Sequence, residues 1–242
     1  MICNTGIGLI PTVDGQVEWF SEKGLYDGLV LMSDERTGSY WNHMTGESVN
    51  GPLAGQRLEV ENVLHSTVAQ VLAEDPETLF AWSNHESALT RIERGGTLDG
   101  LLRRIRGLPE IFPATLGEED GRRDRMEMGI GIWTESNARY YAMEMVQTSD
   151  NAILDDFDGE RVLIYYDPTA YSLAAHFTDA DRVWWEEDVL RFSTGEYIEK
   201  GVRFDSDGNR VEMERPLQVY TRWYGFSLTF PETEIYGEGD GG

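Results

Sequence analysis

The chain has 242 residues, a formal net charge of −24, 40% hydrophobic residues and a mean hydropathy of −0.43. This length is sufficient for one large domain or two small ones with a substantial core. No run approaches the roughly 18 apolar residues of a membrane span, and the negative charge repels phosphate backbones, so we expect neither a membrane span nor a nucleic-acid partner. The acidic residues are scattered along the chain, which favours an adaptation to salt over a functional acidic face.

Residues 1–86, the first block, alternate strand and turn signals. Apolar runs predict strands at residues 7–10, 17–20 and 29–32. The Asp-Gly pair at residues 14–15 predicts a hairpin turn. Thr67 with Gln70 predicts a capping box at the start of a helix. Pro76 cannot continue that helix, which is therefore expected to end at Asp75.

Residues 87–125 form an arginine-rich connector, with eight arginines among glycines and prolines. Leucine and isoleucine at helical spacing predict a short helix over residues 98–105. The basic charges either pair with the acidic body of the protein or present a docking surface for an acidic partner. The first interpretation is favoured, because charged surface segments are usually solvated and paired.

Residues 126–242, the second block, again combine strand and turn signals. Apolar runs predict strands at residues 130–132, 161–166, 181–185, 202–204 and 211–213. Residues 138–145 predict a short helix, and a closing helix carries Trp223, Phe226 and Phe230. Two aspartate-rich segments lack the terminal glutamate of a calcium loop and predict hairpin turns instead, at residues 156–160 and 205–209.

The two blocks resemble each other. Three pairs of segments match in the same order along the chain: residues 3–6 with 167–170, residues 37–41 with 194–198, and residues 66–78 with 221–233. These matches predict an internal duplication and an α+β fold with two related β-rich halves, each closed by a short helix. About forty residues of the second block precede Asp167, whereas two residues precede Cys3. We therefore expect that the first copy lacks its opening elements.

Cys3 is the single cysteine and the candidate nucleophile, so a disulfide within the chain is excluded. A thiol that precedes an Asn-Thr-Gly turn can lie near free backbone N–H groups, which favour the reactive thiolate. A buried, inert cysteine is the alternative, and the residue pattern alone favours it, since no second cysteine or suitably spaced histidine is present. The four histidines match no metal-binding motif, so no metal site is predicted, and the absence of a phosphate-binding loop disfavours a nucleotide site of that kind.

A larger motif lies between residues 24 and 58. It comprises Gly24-Leu25, Met32-Ser33-Asp34-Glu35-Arg36-Thr37-Gly38-Ser39-Tyr40-Trp41, Thr45-Gly46-Glu47 and Gly51-Pro52-Leu53-Ala54-Gly55-Gln56-Arg57-Leu58. This pattern resembles the signature of the bacterial and archaeal domain-of-unknown-function family 3179, and the resemblance extends over nearly the whole chain. The family brings no established activity. Ser33 stands where family members have tyrosine, so no role of that ring carries over.

The resemblance also bears on Cys3. Members of the family usually carry a cysteine-rich motif before Thr-Gly, often with two thiols, and some are described as selenoproteins. Cys3-Asn4-Thr5-Gly6 resembles the end of that motif. The position of the partner thiol would fall at or before Met1, so the resemblance implies a truncated start. The chain as given lacks an export leader, which fits a cytoplasmic protein, and export stays open if the natural start lies upstream.

Two functions remain open at this point. The first is a thiol-based redox or thiol-dependent protein with Cys3 as nucleophile and a redox partner protein. The second is a non-catalytic module that binds a small molecule or a partner in a cleft between the two halves. Carbohydrate binding through Trp41 and its neighbours is a third, less favoured interpretation. The candidate ligand-binding residues are Thr5, Asp34, Thr37, Ser39, Trp41 and Asp167. The pattern identifies no cofactor and no oligomeric state.

Overall fold

The computed structural model describes residues 5–81 and 112–238. Within these ranges the protein is β-rich, with several small sheets and three α-helices, in keeping with the α+β class. The elements of the first block are β1 (Ile7–Ile10), β2 (Thr12–Val13), β3 (Gln16–Val17), β4 (Phe20–Tyr26), β5 (Leu29–Asp34), β6 (Tyr40–Asn42), β7 (Ser48–Asn50), β8 (Glu59–Asn62) and α1 (Val68–Glu74).

The second block contributes the remaining strands and helices. Its elements are β9 (Met128–Trp133), β10 (Ala138–Ala142), α2 (Met143–Thr148), β11 (Ala152–Phe157), β12 (Glu160–Asp167), β13 (Ser172–Phe177), β14 (Val183–Glu186), β15 (Val189–Phe192), β16 (Tyr197–Glu199), β17 (Val202–Phe204), β18 (Leu217–Arg222), α3 (Trp223–Thr229) and β19 (Glu234–Ile235). None of the helices in the described ranges is long and apolar enough to cross a bilayer.

Each block contains a four-stranded antiparallel meander. The first meander has the order β4-β5-β6-β7, and the second meander has the order β14-β15-β16-β17. In both, the turn before the third strand contains a glycine in the left-handed region, Gly38 with φ 72° and Gly195 with φ 93°. Trp41 is fully buried in the first meander, and Ile198 at the corresponding place in the second is 2% exposed.

The second block builds its main core around α3, which covers the sheet β18-β9-β10-β19. A Cβ atom at Gly131 of β9 would lie 2.0 Å from the Phe226 ring, so the ring rests directly on the strand backbone. Only glycine permits this close approach of helix and sheet. The predicted strand at residues 130–132 is confirmed.

β12 is buried on both faces, which explains why its sequence is so apolar. Val162 and Ile164 belong to the core beneath β9 and β10. Leu163 and Tyr165 belong to a separate core against the second meander. Successive residues of a strand point to opposite faces, so β12 serves both cores. The strand predicted at residues 161–166 is confirmed.

Two predictions for the second block are wrong. Residues 138–145 are not one helix, because β10 occupies Ala138–Ala142 and α2 begins at Met143. Tyr140 and Tyr141 are buried in two different cores, which requires the two-residue period of a strand. The segment 211–213 forms no strand.

The predictions for α1 are confirmed. The Thr67 hydroxyl accepts a hydrogen bond from the backbone N–H of Gln70 at 3.2 Å, and the Gln70 side chain accepts one from the Thr67 N–H at 2.9 Å. The helix ends at Glu74 with Asp75 as its C-cap. The hairpin turn at residues 14–15 is also present, between β2 and β3.

The described part of the connector, residues 112–125, packs on the main core. Phe112 is fully buried and meets the Tyr224 ring at a centroid distance of 5.1 Å. Three of the connector arginines pair with nearby carboxylates: Arg122 with Asp120, Arg123 with Glu127 and Glu238, and Arg125 with Glu119. The other five arginines and the helix predicted at residues 98–105 lie outside the described residues.

Candidate functional site

A cleft of about 650 Å³ lies where α1 meets the second block. One wall consists of residues 64–74, which include α1. The opposite wall consists of β12, β13 and the segment 200–215. Both blocks therefore contribute to the cleft, and its shape depends on how they pack against each other.

The helices of the two blocks each contact the meander of the other block. In α1, the Gln70 side chain lies against Gly201 at the start of β17. In α3, the Tyr224 hydroxyl donates to the Gly28 carbonyl at 3.4 Å, and Gly225 packs close to Leu29. This reciprocal packing joins the blocks on both sides and fixes one wall of the cleft against the other.

Asp167 lies at the floor of the cleft and is 8% exposed. Its Oδ1 atom accepts hydrogen bonds from the backbone N–H groups of Thr169 at 2.7 Å and Ala170 at 3.1 Å. Its Oδ2 atom accepts one from Gln70 Nε2 at 2.7 Å. The carboxylate thus closes the turn after β12 and ties this turn to α1. Among the predicted site residues that the structure describes, Asp167 is the one that lines this cleft.

The cleft carries more positive charge than the rest of the chain. Its cationic lining residues are Lys200, Arg203, Arg210 and Arg215, and its carboxylic ones are Glu74, Asp167 and Glu212. The whole chain has 20 basic and 44 acidic residues, so this local excess reverses the general balance. A small anion is therefore better accommodated here than on the surrounding surface.

Two of the cleft arginines are paired with carboxylates. Arg210 donates to Glu74 Oε1 at 2.7 Å, which links the segment after β17 to the end of α1. Arg203 donates to Glu196 Oε2 at 2.9 Å, and its side chain is 11% exposed. Both pairs hold the walls of the cleft in place.

Arg215 differs from these two arginines. Its guanidinium donates to the Ala175 carbonyl at 2.9 Å and contacts Met213 Sδ at 3.3 Å. The Tyr165 hydroxyl lies beside it. Burial raises the pKa of Tyr165, and the positive charge of Arg215 only partly opposes this shift. Tyr165 therefore remains a protonated phenol at neutral pH, able to donate a hydrogen bond.

His65 stands at the rim of the cleft, edge-on to the Tyr220 ring at a centroid distance of 5.2 Å. Burial lowers the pKa of His65, so its imidazole is neutral at pH 7. His65 can therefore offer a hydrogen bond to a ligand but adds no charge to the cleft.

The signature turn, residues 34–41, lies away from the cleft and directs its polar groups inward. Asp34 is 1% exposed. Its carboxylate accepts hydrogen bonds from Thr37 N at 2.6 Å, Ser39 N at 3.1 Å and Trp41 Nε1 at 2.9 Å. Burial pushes the pKa of Asp34 up, but these hydrogen bonds outweigh burial and hold the pKa below its usual value. The structure thus brings together four of the predicted site residues.

The groups of this turn are bonded to one another. The Thr37 and Ser39 hydroxyls lie 2.7 Å apart, and Ser39 Oγ also accepts from Leu53 N at 3.0 Å. Trp41 is fully buried. These contacts show that the signature residues stabilise the turn, whereas their contact with a ligand stays a prediction.

Cys3, the predicted nucleophile, lies outside the described residues, and its reactivity stays a prediction. Thr5, two residues further on, has its Oγ1 atom 2.7 Å from Oγ1 of Thr221, just before α3. The first block thus approaches the start of α3 through Thr5, much as the second block approaches α1 through Asp167.

The cations of the cleft were not predicted from the sequence. A signal was present, because four of the 20 basic residues of the chain fall within residues 200–215. Their convergence depends on how β16, β17 and the following segment turn back towards α1. In the ranges 5–81 and 112–238, no three His, Cys, Asp or Glu side chains converge in a way that could hold a metal ion.

Comparison with known proteins gives one match. The model of a family described as protein of unknown function (DUF3179) matches residues 1–233. No curated protein and no solved structure matches the chain.

Proposed function

Since this chain belongs to the DUF3179 family, whose description names no activity, we propose a function from the cleft itself: the protein binds a small organic molecule between α1 and the second meander. The observation that carries this proposal is the cleft of about 650 Å³ at the joint of the two blocks. Sites for small molecules typically have volumes of roughly 300–1,000 Å³ and often lie between packed units.

The chemistry of the cleft walls supports this proposal. Six apolar side chains line the cleft: Leu64, Val71, Ala174, Val202, Val211 and Met213. Polar residues line the same cleft, among them Gln70, Tyr165 and Arg215. Such a mixture of apolar walls and a few fixed polar groups is typical of sites for organic ligands.

We also propose that the two blocks arose by internal duplication, with the first block at residues 1–86, the connector at 87–125 and the second block at 126–242. In support, the two meanders pair in the same order. The helices α1 and α3 have the same length and begin at matching places of the two Pro-Glu-Thr segments. In relatives, block-to-block alignment should keep this register; alignments that match no better than unrelated sequences contradict the duplication.

A screen of small fragments by ligand-observed NMR tests the binding function. The Val211→Trp variant should fill the cleft and lose the fragments that bind there, because a large ring then occupies the ligand volume. Val49→Trp introduces the same ring at a position that is 44% exposed on β7 and should keep binding. If no fragment binds, or if binding survives Val211→Trp in a folded protein, the proposed function is wrong.

A further inference from the structure

The cations of the cleft differ in whether a carboxylate balances them. Lys200 lies 3.7 Å from Glu199, and Arg203 and Arg210 have carboxylate partners at 2.9 Å and 2.7 Å. In the part of the chain that the structure describes, Arg215 forms no ion pair. This is unexpected in a chain with more than two acidic residues for each basic one.

Arg215 is held in a fixed, partly buried position. The guanidinium donates to the Ala175 carbonyl at 2.9 Å and contacts Met213 Sδ at 3.3 Å. A guanidinium has five N–H donors, so donors remain after these contacts. A partly buried cation without a counter-charge is costly for the fold, whereas an anionic ligand would remove that cost.

We propose that the ligand of this cleft carries an oxyanion, a carboxylate or a phosphate, and that Arg215 binds this group. The proposal rests on the proposed function of the cleft. A guanidinium matches both oxyanions because its parallel N–H groups can donate to two oxygens at once.

The carboxylate of Asp167 does not prevent anion binding at this place. Gln70 Nε2 and two backbone N–H groups already donate to it. Its negative charge is therefore largely compensated by these donors, and less of it acts on a ligand. The Glu74 carboxylate is likewise paired, with Arg210. In the described ranges, Arg215 is the cleft arginine whose charge no carboxylate balances.

Three probes of the same shape and different charge test the inference: benzoate, benzamide and benzamidine. Their affinities are measured by titration at low ionic strength, with the Nε–Hε signal of Arg215 followed by NMR. We expect benzoate to bind at least about tenfold more tightly than benzamide and to shift the Arg215 signal, because a charge-assisted bidentate hydrogen bond forms only with the anion. Phenyl phosphate, compared with benzoate, distinguishes phosphate from carboxylate ligands.

The variant Arg215→Met should reduce benzoate binding to the level of benzamide. Arg182→Met is the matched control, since Arg182 also forms no ion pair in the described ranges but stacks on Trp184 at 5.0 Å, outside the cleft. Arg182→Met should leave benzoate binding unchanged. If Arg215→Met does not fold, Arg215→Lys replaces it, because lysine keeps the positive charge but cannot form the bidentate hydrogen bond of a guanidinium. Benzoate should then bind more weakly to Arg215→Lys than to the unchanged protein.

The possible failures are distinguishable. If benzamide or benzamidine binds in the cleft as tightly as benzoate, the ligand class is wrong while the binding function stands. If benzoate binds without shifting the Arg215 signal, Arg215 is not the anion-binding residue. If neither these probes nor any screened fragment binds in the cleft, the proposed function itself fails.

Discussion

Replacing Asp34 with alanine should strongly destabilise the fold, because one buried carboxylate holds the signature turn together. The substitution leaves Thr37 N, Ser39 N and Trp41 Nε1 without their acceptor at a site that is 1% exposed. An unsatisfied buried donor costs about 1–3 kcal/mol. Allowing for relaxation and entry of water, we expect the free energy of unfolding to fall by about 3–6 kcal/mol. Urea unfolding followed by tryptophan fluorescence measures this loss.

Asp205→Ala is the matched control, in the turn that follows the second meander. Asp205 also closes a turn, with hydrogen bonds from Asp207 N at 2.9 Å and Asn209 N at 2.8 Å, but this turn is exposed. Water can replace the lost acceptor there, so the loss of stability should be much smaller. If Asp34→Ala costs no more than Asp205→Ala, the buried carboxylate does not organise the signature turn.

The same carboxylate gives a pH dependence with a defined sign. Its hydrogen bonds hold the pKa of Asp34 in the folded protein below the ordinary value of 3.8. A lowered folded pKa stabilises the fold fully above the unfolded pKa, and this contribution is lost as pH falls below about 3.8. Asp34→Asn should therefore reduce the slope of stability against pH in this acid range.

Three further predictions concern other parts of the molecule. Burial and the neighbouring arginines lower the pKa of His176 to about 3. As the pH falls from 6.5 to 3, the free energy of unfolding should therefore decrease by up to about 1.4 kcal/mol per pH unit. The His176→Phe variant should show a shallower dependence of unfolding on pH across this range, and an unchanged slope would contradict the assignment. Gly131→Ala places a Cβ atom 2.0 Å from the Phe226 ring and should lower the free energy of unfolding in urea by at least about 1–3 kcal/mol. Gly121→Ala, where a Cβ atom would have no other atom within 4 Å, should be nearly neutral. Equal losses of stability in the two variants would contradict the close approach of helix and sheet at Gly131. If Cys3 is a nucleophile, iodoacetamide should label the native protein rapidly and with a pH-dependent rate, and labelling only after denaturation contradicts that role.

The elements that could be predicted from sequence are those fixed by local interactions. The capping box of Thr67 and Gln70 needs only residues three apart, and Pro76 ends the helix by its own covalent geometry. The segment 138–145 could not be predicted in this way. Tyr140 and Tyr141 belong to two different hydrophobic cores, and these cores form only when elements distant in sequence pack together.

In the candidate site, too, local motifs could be predicted from the sequence, whereas features that depend on tertiary packing could not. The motif from Asp34 to Trp41 indicated that these residues act together, but not that their polar groups bond to one another in the interior. Asp167 was identified because it matches Cys3 between the blocks. Arg215 was missed because its lack of an ion pair within the described ranges depends on packing between segments distant in sequence.

A crystal structure of the protein soaked with benzoate or phenyl phosphate would show whether Arg215 binds the oxyanion of a ligand in the cleft. We predict the aromatic ring between the apolar walls of the cleft and the oxyanion within about 3 Å of the Arg215 guanidinium. A ligand bound elsewhere on the protein, or one in the cleft with its oxyanion turned away from Arg215, would contradict the proposal that Arg215 binds an anionic ligand in this cleft.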